Sequence, residues 1–231
     1  MLKLFISLLF FVTVSPVPVP EVHVSGAMRN IMMNADLSAH IRLDTLGKKH
    51  LFGLGPAALL KGEIMILDGK IYSTAVHENK LINQQDKITE AAMLVYSYVE
   101  KWKAVNLSTT LQGYAELENM VETTAKAKGY DTEIPFVFRI ELTPEKASYH
   151  VIDWKEGITH TMENHKQFAY TGETARSELI LLGFYSKHHQ SIYTHHTTFM
   201  HVHLLDEASH TVGHIDDIRF KGPLTLYLPE K

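Results

Sequence analysis

The stretch Met200-His201-Val202-His203-Leu204-Leu205, followed after a polar turn by Gly213-His214-Ile215-Asp216-Asp217, constrains this chain more than any other. In a β-strand, residues two apart point to the same face. His201 and His203 therefore share one face, and Met200, Val202 and Leu204 share the apolar one. Asp206 to Gly213 (DEASHTVG) is polar and ends in glycine, as a hairpin connection should. A return strand brings His214 back to about the level of His203. Three imidazoles then converge from two adjacent strands with a coordination position left open, which is the layout of a catalytic zinc site. A competing reading is a histidine-rich surface tract that binds metals nonspecifically. Eight of the 15 histidines lie between His188 and His214, including the pairs His188-His189 and His195-His196. The clean alternation with apolar neighbours favours the buried site.

Composition narrows the remaining classes. The chain has 231 residues, 45% hydrophobic and 21% charged, with a formal net charge of −4. That is enough apolar material for a sizeable core in one large domain or two small ones. Mild acidity and the absence of any Lys/Arg run argue against a nucleic-acid partner. There is no cysteine, so disulfides and a thiolate nucleophile are excluded.

Residues 1–19 read as a secretory signal: Lys3, then the apolar run Leu4 to Val14, then Ser15-Pro16-Val17-Pro18-Val19-Pro20 as a helix-breaking end. The run is too short to span a bilayer. The expected location is secreted or periplasmic, with no membrane association once the signal is removed.

Along the mature chain, residues 23–34 and Leu37 to Leu46 suggest short helices, the first capped by Ser25. Phe52 to Pro56 reads as a loop. Glu63 to Leu67 and Lys70 to Thr74 read as strands joined by the two-residue turn Asp68-Gly69. Ala91 to Lys101 suggests a further strand. Thr109 to Lys128 shows helical spacing at Leu111, Tyr114, Leu117 and Val121. After residue 130 the pattern turns to strands: Pro135 to Leu142, Tyr149 to Trp154, Glu178 to Tyr185, the two histidine strands, and Leu224 to Leu228. The expected fold class is α+β, with a mixed α/β N-terminal half (21–130) and a β-rich C-terminal half (131–231) that carries the three-histidine metal site.

Several stretches together carry a family resemblance. Phe52-Gly53-Leu54-Gly55, the run Gly62-Glu63-Ile64-Met65-Ile66-Leu67-Asp68-Gly69-Lys70-Ile71-Tyr72, and His201-Val202-His203 with His214 and Asp216 resemble α-acetolactate decarboxylases. Weaker similarity extends over Ser25, Leu37 to Leu46, Phe136 to Ile140, Gly183-Phe184 and Leu228-Pro229. The resemblance implies a two-domain α+β fold, commonly dimeric. It implies zinc-dependent conversion of 2-acetolactate, a small 2-hydroxy-3-keto acid, to acetoin and CO2. His201, His203 and His214 would be the metal ligands, at the H-x-H-x10-H spacing. Glu63 would be the catalytic acid, a role that a single Glu at a strand start does not suggest unaided. No organic cofactor is needed, because the β-keto group is the electron sink.

The chain departs from the family pattern at three places. Pro56 stands where the family has Thr. The family's arginine falls near Asp153-Trp154-Lys155, where Lys155 is the only nearby cation and lacks the bidentate fork. The family's closing tail contributes an acidic group, for which Glu230 is the candidate here. These departures imply reduced activity. Two rival readings stand beside this one. His201-x-His203-x3-Glu207 is close to the first motif of a cupin, in which two His and a Glu bind iron, manganese or nickel for oxygenase or isomerase chemistry. The other is a secreted, noncatalytic metal-binding relative.

Overall fold

The computed structural model describes residues 19–155, 157–158, 161, 164 and 167–230. Apart from Val19, the signal segment lies outside them. In chain order the elements are β1 (Val22–Ser25), α1 (Met28–Asn34), β2 (Ile41–Arg42), β3 (Leu51–Pro56), β4 (Glu63–Leu67), β5 (Lys70–His77), β6 (Lys80–Gln85), β7 (Glu90–Ala91) and β8 (Leu94–Tyr98). They continue with β9 (Trp102–Leu111), α2 (Tyr114–Ala127), β10 (Phe136–Leu142), β11 (Lys146–Ile152), β12 (Ala169–Thr174), β13 (Leu179–Tyr185), β14 (Met200–Asp206) and the long β15 (Thr211–Pro229). Strands dominate, and the architecture is broadly α+β. No described helix is long and apolar enough to cross a membrane.

Two antiparallel sheets carry the fold. The first has the order β1-β8-β3-β4-β5-β6. Two tight hairpins shape its far edge. Asp68 (φ 47°) and Gly69 (φ 78°) join β4 to β5, and Glu78 (φ 49°) and Asn79 (φ 59°) join β5 to β6. Two successive positive φ angles match the twist of the flanking strands. Only the first of these turns announces itself in the sequence, because Glu-Asn is a weak turn signal.

The second sheet runs β10-β13-β14-β15-β11-β12, and β15 is long enough to serve it twice. Its first half pairs with β14 and β11, and its second half with β9 and β10. The β10–β15 pairing closes β10, β13, β14 and β15 into a small barrel. Its interior is filled by Phe136, Phe138, Ile140, Leu181, Met200, Val202, Leu204 and Leu226. Helix α2 packs Leu117, Met120, Val121 and Ala125 onto the same core. The outer face, with Val137, Leu182, Phe184, Leu205 and Val212, lies on Phe52, Leu54, Met65 and Val95 of the first sheet. Each such fully buried side chain contributes about 1.5–3 kcal/mol. The two sheets are therefore pressed together, and anything polar between them is held dry.

Several local expectations change. Ser25 ends β1 and its hydroxyl donates to His40 O (2.8 Å), while Ala27 precedes α1. Leu37 to Leu46 is not a helix; it contains β2 and a short 3-10 turn. Phe52 to Pro56 is strand β3, not a loop. Its glycines mark close backbone approach: a Cβ on Gly55 would lie 2.1 Å from Met93 O. Trp102 to Leu111, the start of the expected helix included, is strand β9. Residues 21–130 thus supply both sheets, since β9 and α2 belong with the second.

One packing test follows. A Cβ on Gly183 would meet the Phe138 ring at 2.2 Å, inside the closed barrel and one strand from the histidines. Gly183→Ala should destabilise the protein by about 1–3 kcal/mol in urea denaturation, as overpacking does. An unchanged midpoint would show that the barrel core is looser than this.

Candidate functional site

The histidines sit where the two sheets meet. Both faces of β14 are buried: Met200, Val202 and Leu204 enter the barrel, while His201 and His203 face the first sheet. His214 on β15 is paired directly with His203, as the hairpin spacing requires. The three rings lie 4.9 Å (His201–His203), 5.0 Å (His201–His214) and 5.7 Å (His203–His214) apart at their centres. Imidazoles bound at about 2.0–2.1 Å to one tetrahedral ion would have ring centres about 5 Å apart.

Burial and hydrogen bonding prepare these rings. His203 Nδ1 donates to Ile64 O of β4 (2.9 Å), a bond that crosses from one sheet to the other. A carbonyl only accepts, so the proton is on Nδ1 and the lone pair is on Nε2. Burial above all pushes His201 and His203 well below their ordinary pKa, with neighbouring imidazoles adding to the drop. Both are neutral, as a metal ligand must be. His203 Nε2 and His201 Nδ1 are buried without a hydrogen-bond partner. Leaving such a group unsatisfied costs about 1–3 kcal/mol. Two orphaned imidazole nitrogens in one dry cluster are what a bound cation would satisfy, so the residues present fit a metal.

Glu63 opens β4 and is only 4% exposed. Its Oε2 lies 3.4 Å from His203 Nε2, and its Oε1 accepts from the Ile152 amide (3.3 Å). Burial pushes its carboxyl up to about 7; the charge of His150 and the Ile152 amide pull it down, and Asp216 adds to the rise. The structure thus brings Glu63 together with His201, His203 and His214.

Two residues join the site that the sequence did not offer in this role. β11 pairs His150 directly with His214, and the rings stack at 4.7 Å. Asp216, quoted above only as part of a motif, is the extra residue of a β-bulge between β11 and β15. Its Oδ1 lies 2.7 Å from His150 Nδ1 and 3.9 Å from His214 Nδ1. Burial lowers the His150 pKa, and the hydrogen bond and charge of Asp216 outweigh it, leaving a net rise. The next residue, Asp217, accepts from the Tyr114 amide (3.0 Å), tying the start of α2 to the bulge. Among the described residues, the group whose ligand atoms all lie within 4.8 Å of one another is His150, His214 and Asp216, and it could hold a metal ion. The two sets share His214. Asp216 already has His150 as partner, while His201 Nδ1 and His203 Nε2 are among the buried ring nitrogens left without one.

Three other candidates fall outside the cluster. Glu207 is exposed in the turn after β14, its amide bonded to Glu178 O. Lys155 is paired with Asp153. Glu230 is bonded through its amide to Lys101 O, beyond the far end of β15 from His214.

Residues 25–227 match the family model described as Alpha-acetolactate decarboxylase. The chain belongs to the alpha-acetolactate decarboxylase family. No curated protein sequence matches it. Among solved structures, the acetolactate decarboxylase from Bacillus subtilis subspecies spizizenii superposes with a TM-score of 0.76 at 14% identity, covering 91% of this chain and 86% of that one. The alpha-acetolactate decarboxylase from Bacillus subtilis strain 168 gives 0.72 at 14% identity, with the same coverage. A Staphylococcus aureus protein of unknown function, similar to alpha-acetolactate decarboxylase, gives 0.71 at 13% identity. At these identities the structural likeness establishes the fold, and the cupin reading has no further support.

Glu63 offers a direct test of the site's dryness. Its folded pKa is raised from 4.5 to about 7, so its contribution to stability is complete below pH 4.5 and is lost as pH rises through 7. At about 1.4 kcal/mol per unit, the metal-free protein should lose on the order of 3 kcal/mol through Glu63 across this window. Urea denaturation of metal-free wild type and Glu63→Gln should show the variant gaining relative stability as pH rises. Parallel pH profiles would mean that the Glu63 carboxyl is not held dry.

Proposed function

We propose that this protein is a zinc-dependent decarboxylase that converts 2-acetolactate, or a close 2-hydroxy-3-keto acid, to acetoin and CO2. The supporting observation is the cluster of buried His201, His203 and Glu63 with half-buried His214, in a chain of this family. His201, His203 and His214 would hold the ion. When bound, it supplies Lewis acidity toward the keto and hydroxyl oxygens of the substrate.

The protein's own residues account for the rest. Loss of CO2 from the substrate anion leaves the bonding electrons on the adjacent keto group as an enediolate, and one proton must be delivered to carbon to give acetoin. Glu63 would carry that proton; burial raises its carboxyl to about 7 in the metal-free protein, which favours the protonated form more than in an ordinary carboxylate. The Ile152 amide fixes one carboxyl oxygen, so the acid is aimed as well as protonated. The surrounding apolar contact between the sheets excludes water that could protonate the wrong face. No arginine stands near Asp153 to Lys155 to meet the substrate's charge; His150, on the adjoining strand β11, is a basic side chain at the site. Turnover should accordingly be lower than in a relative with a preorganised arginine, by roughly a hundred- to thousandfold if one such contact is lost.

Acetoin and CO2 release from racemic acetolactate tests this reading. Wild type should be active, metal-stripped protein inactive, and Glu63→Gln slower by about 10²–10⁴-fold. A wild-type rate no higher than that of the stripped protein would favour the noncatalytic metal-binding relative.

Metal retention separates the ligand sets. His201→Ala, His203→Ala and His214→Ala should each release the ion, and Glu207→Ala should retain it. Loss of metal from Glu207→Ala with retention in His214→Ala would reverse the assignment.

We also propose export, from Lys3 and the apolar run Leu4 to Val14. Fractionation with N-terminal sequencing should find a processed protein outside the cytoplasm, and a cytoplasmic chain that retains Met1 would refute it.

A further inference from the structure

We propose that Thr74 is a positioning residue for Glu63: its hydroxyl, aimed by Asn83, fixes β15 at Val212 and so sets where the Glu63 carboxyl stands relative to His203 and His214. This deepens the decarboxylase reading above and rests on it for its kinetic test. Thr74 lies directly opposite Glu63 across β4 and β5. Directly opposed residues of an antiparallel pair place their side chains on one face. That face is laid against the second sheet, since Glu63 reaches His203 and the fully buried Thr74 reaches Val212.

The direction of each hydrogen bond follows from the donors and acceptors present. Asn83 Nδ2 donates to Ser209 O (2.8 Å) and to Thr211 Oγ1 (2.9 Å), and a carbonyl can only accept. The amide oxygen of Asn83 is therefore the atom turned toward Thr74, 2.9 Å from its hydroxyl. The hydroxyl proton goes to Asn83, which leaves a lone pair for the Val212 amide, donating at 2.7 Å. Val212 is fully buried, so its N–H has to find a partner inside the protein, and that partner comes from the opposite sheet. Thr74 is β-branched and stiff at its first side-chain torsion, so it holds this bond in a narrow geometry.

Two polar contacts then bracket Glu63. Toward β14, His203 Nδ1 donates to the carbonyl of Ile64, the next residue on β4. Toward β15, the amide of Val212, two residues before His214, donates to Thr74, the residue opposite Glu63. With the first contact alone, β4 could pivot about the Ile64 carbonyl; the second removes that freedom. Apolar contacts between the sheets add attraction without a preferred direction. His201, His203 and His214 all belong to the β14–β15 hairpin. Loss of the Thr74 hydroxyl should therefore leave their arrangement in place and displace the acid.

The test measures kcat and KM for acetoin release by the zinc-loaded protein, in wild type, Thr74→Val, Thr74→Ser, Glu63→Gln and the double variant Thr74→Val with Glu63→Gln. Thr74→Val should lower kcat by about a hundredfold with KM little changed, as a small misplacement of a reacting group does. Thr74→Ser keeps the hydroxyl and should recover most of the rate. On top of Glu63→Gln, Thr74→Val should cost little more, because it acts through Glu63. Should Thr74→Val not fold, Asn83→Ala, at an exposed position, takes its place, with a smaller loss and the same non-additivity. Losses that multiply with that of Glu63→Gln, or a Thr74→Ser as slow as Thr74→Val, would overturn the proposal. A wild type inactive on acetolactate would instead refute the decarboxylase reading, and crystal structures of the metal-free variants then decide the positioning. The Glu63 Oε2–His203 Nε2 separation of 3.4 Å should lengthen in Thr74→Val and be kept in Thr74→Ser; the same separation in both would show that Thr74 does not position Glu63.

Discussion

The hydrogen bond from His203 Nδ1 to Ile64 O is the contact on which the rest of the site depends. It crosses between the two sheets, joining the middle of β14 to the second residue of β4. It fixes the imidazole tautomer, and so decides which nitrogen faces the cluster. It also sets the depth at which β4 lies against the barrel, and Glu63 is the neighbouring residue on that strand. Apolar side chains on both outer faces hold the sheets together, but their attraction is non-directional. A buried donor and acceptor must meet each other or remain unsatisfied, so this polar pair specifies the register of one sheet on the other.

The same burial has opposite effects on the two kinds of side chain it encloses. It lowers the pKa of His201 and His203 and raises that of Glu63. Each group is thereby driven to its neutral form. A neutral imidazole can bind a cation, and a neutral carboxyl can donate a proton. One physical cause, exclusion of water between two sheets, prepares both functions at once. A surface tract rich in histidine could not do this, because its rings would titrate near their ordinary pKa. His195 and His196 are exposed and lie outside the cluster, although the sequence alone counts them with His201 and His203.

What could be read in the sequence follows from the range of the interactions involved. The alternation in Met200 to Leu205 is local, and one short hairpin brings His214 back, so three of the histidines were legible. The Asp68-Gly69 turn was legible for the same reason. Glu63 was not: a lone Glu at a strand start acquires a role only when another sheet covers it, and the family resemblance alone singled it out. His150 escaped because its place depends on pairing between β11 and β15, distant in sequence, and on a bulge at Asp216. Strand β9 escaped because most of its residues, such as Lys103, Asn106 and Thr110, are exposed or half-buried. Its apolar end, running into α2, imitates helical spacing. Gly53 and Gly55 suggested a loop, but they are strand residues: a Cβ on Gly53 would be tight against Tyr96 of β8, and one on Gly55 would clash with Met93 O just before it.

Sequence identity of 13–14% with proteins of the same fold shows that much of such a chain is free to change. The barrel and the sheet that covers it need only apolar side chains of suitable volume at alternate positions, and many sequences supply those. A dry cavity between two sheets is less permissive, since every polar group placed there must find a partner or cost stability. β11 shows how such a position is satisfied. It presents His150, which is shorter than an arginine and reaches its carboxylate only because the bulge turns Asp216 toward it. The imidazole and its bulge therefore have to be considered as a unit. Replacing His150 by Arg alone would place a longer cation beside His214 while Asp216 remained aimed at the old position. The polar shell of this site is thus coupled to the backbone that carries it, and the barrel core beneath is not.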